Sequence, residues 1–171
     1  MGQRAYARVD RDTRALKKSL LLAVQHMRAQ TAFLRGRCAI ASLDAEPTMR
    51  ARRLAETRRL ARQLDKEGMR WTAPLAAILK AAVANAEGDR PRAIEALRSA
   101  IDLALAANMA GHAAAGRYQL GSLLGGEEGA ELVARSEEAM SAQGVRKAAR
   151  FAATLVPGRW HPHFEKRESL L

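Results

Sequence analysis

Apolar residues recur along most of this chain at helical spacing. The clearest run covers 72–109. Leu75, Ile78, Leu79, Ala82 and Val83 make one stripe; Ala93, Ile94, Leu97, Ala100, Ile101 and Leu105 make a second. Both follow the i, i+3, i+4, i+7 spacing of a helix with one buried face. Between them, Gly88 suits a left-handed helix end and Asp89 suits an N-cap. Pro91 is tolerated in the first turn that follows. The pattern predicts a tight antiparallel helical hairpin.

The flanking regions continue the theme. From Asp12 onward, Leu16, Leu20, Leu21, Val24, Met27, Thr31 and Leu34 set out a long first helix, extended by Cys38, Ile40, Ala41 and Leu43 and bent at Gly36. Residues 1–11, polar and charged, read as a flexible lead-in. Residues 44–47 break the pattern, and Pro47 opens a second helix that runs to Glu67, with Gly68 at its end. Its stripe is Met49, Leu54, Ala55, Ala61 and Leu64, with Leu60 at the edge. Trp71 is expected to plug a groove between hairpins. After the 72–109 hairpin, a fifth helix over 112–124 carries Ala115, Tyr118, Leu120 and Leu123. Gly121 within it predicts a close helix approach, because a mid-helix glycine otherwise costs about 1 kcal/mol. A sixth helix, acidic in its first turn, runs to about residue 142, with Leu132, Val133, Ser136, Ala139 and Met140 inward. A short seventh covers 145–155. Residues 158–171 show no periodicity and read as a disordered tail, so the domain is expected over 12–157.

Composition sharpens this to an all-α fold of about seven helices. The 171 residues are 48% hydrophobic but only 4% aromatic, so Ala, Leu, Val, Ile and Met must build the core. Ala and Leu are strong helix formers. Paired as 1–2, 3–4 and 5–6, the hairpins recur every roughly 35 to 40 residues, the period of a helical-repeat solenoid. The seventh would cover the last pair.

The net charge of +11 is unevenly placed. Residues 1–71 hold 17 Lys/Arg and 7 Asp/Glu, a balance of +10, whereas 72–156 hold 9 of each. The densest segment is Arg50, Arg52, Arg53, Arg58, Arg59, Arg62, Lys66 and Arg70. Arg52, Arg59, Arg62 and Lys66 are the candidate face for an anionic partner. The competing interpretation is a solvated helix face, with Glu56 and Asp65 pairing locally. The single cysteine, Cys38, excludes an internal disulfide framework. No continuous apolar run exceeds five residues, as at 20–24, which is far short of a membrane span. No secretory signal is visible near the N-terminus. A cytoplasmic protein with no membrane partner is expected.

The residues around the central turn resemble a known motif. AEGDRPRAIEALRSAI is similar to the middle of a tetratricopeptide repeat, with Gly88, Asp89, Ala93, Leu97 and Ala100 in its turn, small and large positions. Lys80 and Leu105 depart from it. Over about 15–158 the chain also resembles the C-terminal helical region of large bacterial signalling proteins that carry a serine/threonine kinase or STAND-type ATPase domain. Glu67, Gly68 and Met69, Gly88 and Asp89, Leu120 and Gly121, residues 125–129, Met140, Gln143 and Gly144, and Pro157 and Gly158 carry this resemblance; Lys147 departs. The resemblance implies a tetratricopeptide-like scaffold for protein contacts, stacked from antiparallel hairpins, with partners on the side formed by the first helix of each pair. It implies no catalytic residues.

The remaining chemistry is sparse. His26 and His112 stand alone on helices. His161 and His163 lack the converging ligands a metal site needs, and Cys38 has no evident partner base. No glycine-rich phosphate loop, HRD or DFG motif occurs. No catalytic residue, metal or cofactor is therefore expected. The sequence predicts a non-catalytic protein–protein interaction scaffold, an acidic protein being one candidate partner, with a nucleic-acid-associated domain using 50–70 as the alternative.

Overall fold

A computed structural model describes residues 2–161. Among them the fold is all-α, a repeat-like array of antiparallel helical hairpins. Eight helices follow one another: α1 Gly2–Lys17, α2 Gln25–Ala41, α3 Arg50–Lys66, α4 Thr72–Ala86, α5 Arg90–Ala106, α6 Ala110–Leu124, α7 Gly126–Ala142 and α8 Ala148–Leu155. Short 3₁₀ turns, Leu20–Ala23 and Pro47–Met49, precede α2 and α3. The pairs α2–α3, α4–α5 and α6–α7 pack most closely, and α3–α4 and α5–α6 join them in sequence.

Local chemistry accounts for the turns. At the end of α4, Gly88 has φ +81°, the Asp89 N–H reaches back to Ala84 O at 3.0 Å, and the Asp89 side chain accepts from Arg92 N at 3.1 Å. One residue thus satisfies the end of α4 and the start of α5. The same backward bond recurs from Met109 N to Ala104 O and from Val145 N to Met140 O, after left-handed Asn108 and Gly144. Arginines then stitch the repeats. Arg50 donates to Ala86 O, Arg70 to Ala106 O at 2.6 Å and Arg90 to Leu123 O at 3.0 Å. Each brings a cation to helix C-terminal carbonyls that lack intrahelical donors.

Burial identifies the centre. Eleven of the fifteen residues of α4 are buried, including Leu75, Ile78 and Leu79. Facing it, α5 buries Ala93, Leu97 and Ala100; α6, packed on α5 and α7, buries Leu120 and Gly121. Alanine is plentiful in this core, so helices lie close. A Cβ on Gly121 would stand 2.6 Å from Gly129 O, and one on Gly36 would stand 2.6 Å from Leu79 Cδ1. Gly36 is therefore a contact point between α2 and α4, not a bend.

Several expectations for the ends of the chain require correction. Residues 1–11 are not a lead-in: α1 begins at Gly2 and buries Tyr6 and Thr13. A polar anchor holds it, which apolar periodicity does not register. The long helix expected from Asp12 is interrupted after Lys17. Leu20, Leu21, Val24, Met27 and Leu34 are exposed, and the inward face of α2 is Ala29, Ala32, Phe33, Gly36, Ala39 and Ile40. In α3, Leu60 is core and Ala55 is exposed, while Thr57 is fully buried. Ala139 and Leu105 are exposed. Among the described residues there are eight α-helices, one more than expected, because α1 and α2 are separate. At the C-terminal side, Val156, Pro157 and Trp160 are buried, so the packed unit extends past 158. His163 and the rest of 162–171 lie outside the described residues.

Candidate functional site

The arginine-rich helix α3 divides its cations between two tasks. Arg50 and Arg58 reach the α4 end, to Ala86 O and the Glu87 carboxylate. Arg53 turns inward beneath α1, its guanidinium 3.3 Å from the Tyr6 ring centre and 2.8 Å from Glu46 Oε2. Arg52, Arg59, Arg62 and Lys66 are exposed and, among the described residues, form no ion pair. Their steps of seven, three and four residues place all four on one side of the helix. The acids expected to neutralise them are engaged elsewhere. Glu56 pairs with Arg35 at 2.6 Å, and Asp65 with Lys80 at 2.8 Å.

A groove of about 700 Å³ runs between α1 and α3, and Arg52 and Arg59 lie at its edge. A polar network missed from the sequence forms its floor. Arg35 of α2 bridges Glu56 Oε1 and Asp10 Oδ1 at 2.8 Å, and the Tyr6 hydroxyl donates to Glu56 Oε2 at 2.5 Å. Arg14 holds the other Asp10 oxygen at 2.6 Å. Burial would raise the Asp10 carboxyl, but Arg14 and Arg35 outweigh it and hold it below its ordinary value. Burial, then the Glu56 bond and charge, push the Tyr6 phenol up. The network fixes α1 against α2 and α3, and its charges are internally matched. Around this groove, the uncompensated charge therefore belongs to the outer face of α3. For the network beneath, the sequence offers only single acids at 10 and 56 among arginines.

The side lined by α2, α4 and α6 is occupied by this chain itself. Ala152, Val156 and Trp160 are buried in the common core. Arg37 of α2 donates to Thr154 O at 2.7 Å, Asn85 of α4 to Arg159 O at 2.7 Å, and Gln119 of α6 to Val156 O at 3.3 Å. The Trp160 indole N–H donates to Val156 O at 3.2 Å. One polar side chain from each of α2, α4 and α6 thus ties down α8 and the residues after it. The expected partner surface is filled from within.

Around this closure lie Cys38 and His112. Burial raises the Cys38 thiol, with nearby Arg37 opposing. That environment disfavours the thiolate a nucleophile requires. Burial, then Arg37, lowers the His112 imidazole, which sits 6.1 Å from the Phe33 ring. His26 is exposed and tilts against Trp71 at 5.2 Å. Among the described residues, no three of His, Cys, Asp and Glu gather as metal ligands. No described helix is long and apolar enough to cross a membrane.

Comparison of the chain with protein-family models, curated proteins and solved structures yields no match.

Proposed function

We propose that this protein is a non-catalytic interaction scaffold that binds an acidic protein surface through the outer face of α3. One observation carries the reading: Arg52, Arg59, Arg62 and Lys66 are aligned, exposed and without carboxylate partners, whereas Arg35, Arg53 and Arg58 are all paired. Planar guanidinium groups suit bidentate recognition of carboxylates. The filled α2–α4–α6 side supports this outer face over the concave side as the binding surface. The resemblance to kinase- and STAND-associated helical regions supports a signalling context.

The test is a titration of the full chain with polyglutamate and duplex DNA across a salt series. Arg52, Arg59 and Arg62 changed together to Gln should keep the fold, since all three are exposed and form no ion pair among the described residues. Polyglutamate affinity should fall several-fold in that variant. DNA binding should vanish by roughly physiological salt, as counterion release dictates for an incidental basic face. Submicromolar duplex binding that survives this salt and needs the three arginines would instead favour the nucleic-acid reading. Equal polyglutamate binding by both proteins would remove α3 from the interface.

A further inference from the structure

Among the described residues, the exposed large apolar side chains gather at one end of the helix array, with Leu34 the exception. The chain reverses there between α1 and α2, between α3 and α4, and between α5 and α6. Cross-links confirm the shared end. The Gln25 side chain donates to Glu67 O at 2.8 Å, and Arg70 donates to Ala106 O at 2.6 Å. Leu20, Leu21 and Val24 occupy the first reversal, Met69 the second, and Leu103 and Leu105 the last turn of α5. Met69 and Leu103 line one shallow hollow of about 340 Å³. Leu20, at 89% exposure, is the extreme case.

The tip is held outward by its own backbone chemistry. The Ser19 hydroxyl donates to Leu16 O at 2.8 Å and accepts from Leu21 N at 3.3 Å. From behind, Arg28 donates to Leu22 O at 3.1 Å and grips both Glu67 oxygens at 2.7 Å. The turn is thereby fixed while its leucines meet water, an arrangement that marks an interaction site. Charge at this end is mainly positive, with Asp102 the exposed acid beside Leu103. Lys17, Lys18 and Lys66 are exposed and form no ion pair among the described residues, whereas Glu67 is bound by Arg28 and Asp65 by Lys80.

We infer that this end of the array, led by Leu20, Leu21 and Val24 with Lys17 and Lys18 beside them, docks on an anionic phospholipid surface. A protruding aliphatic tip bordered by lysines matches the acyl–headgroup boundary, where apolar groups enter and ammonium groups stay with phosphates. A protein interface would deplete lysine at its centre, whereas Lys17 and Lys18 border this tip. The absence of a membrane partner was expected from run length, which governs crossing and not contact at the surface. This inference is separate from the acidic-protein reading, since it rests on Leu20, Leu21, Val24, Lys17 and Lys18 and shares only Lys66 with the outer face of α3.

The experiment is co-sedimentation of the full chain with vesicles of phosphatidylcholine alone, and of phosphatidylcholine with about one third phosphatidylglycerol, at physiological salt. Binding is expected only with the anionic lipid. Leu20→Ser with Leu21→Ser should reduce it roughly tenfold or more at an unchanged melting temperature, both side chains being exposed. Lys17→Gln with Lys18→Gln should reduce it several-fold. Undiminished binding by the leucine variant overturns the inference, as does loss of binding only in the Arg52, Arg59 and Arg62 variant. Self-association of the wild type that the leucine variant abolishes would assign the patch to a second copy and equally overturn it.

Discussion

Replacing Trp160 by Ala tests whether the C-terminal segment is part of the core. Trp160 is 1% exposed, packs over Gly158 and lies in the cluster formed with Val156, Ala152 and α4. A buried aromatic removes about 150–250 Å² from water. At about 25 cal/mol per Å² that is roughly 4–6 kcal/mol. A realistic unfolded reference trims the figure by about 10–40%, to roughly 3–5 kcal/mol, the range seen for large aromatic truncations. The lost indole bond adds little, because Gln119 also donates to Val156 O. For a chain of this size about 1 kcal/mol shifts the melting temperature by about 2–4 °C, so a fall of roughly 6–20 °C is expected. Truncation after Gly158, which removes the same side chain, should fall at least as far. Thermal denaturation followed by far-ultraviolet dichroism reads both. A shift below about 3 °C in each would refute the claim that this segment fills the α2–α4–α6 side.

Other substitutions probe other contacts. Ala93→Glu should prevent or severely weaken folding, since Ala93 is fully buried between α4 and α5 and a carboxylate there has no partner; a wild-type melt would contradict it. Gly121→Ala should destabilise by about 1–3 kcal/mol despite better helix propensity, because its Cβ meets the backbone at Gly129. Gly36→Ala should cost less, since there the obstacle is the end of the Leu79 side chain; urea denaturation ranks the two. Acidification should weaken the fold in two stages. His112 is held below its ordinary 6.5, so the unfolded chain binds the extra proton and stability declines as pH falls through that value. Asp10, Glu46 and Glu67 are held below theirs, so their contributions are present above about pH 4 and disappear below it. Denaturation midpoints at about pH 7.5, 5.5 and 3.5 should fall in that order, and a midpoint rising between the first two would refute the His112 assignment.

The all-α fold and its central hairpin were determined within the sequence itself. The stripes of α4 and α5 repeat at helical spacing, and Gly88 and Asp89 supply the turn from their own conformational and capping chemistry, so nothing distant is needed to see them. The exposed set Arg52, Arg59, Arg62 and Lys66 was legible for the same reason, as one helix face. What tertiary structure alone decided lies where a long-range contact overrides local pattern. The leucines at 20 and 21 fit a helical stripe, but the chain turns there and α2 buries alanines instead, a weaker signal because a methyl group contributes little to any periodicity. Arg53 and Tyr6 became interior through a stacking contact 47 residues apart in sequence. Trp160 follows a proline and a glycine and belongs to no periodic element. Its burial depends on a surface assembled from α2, α4 and α6, which exists only after those helices have packed.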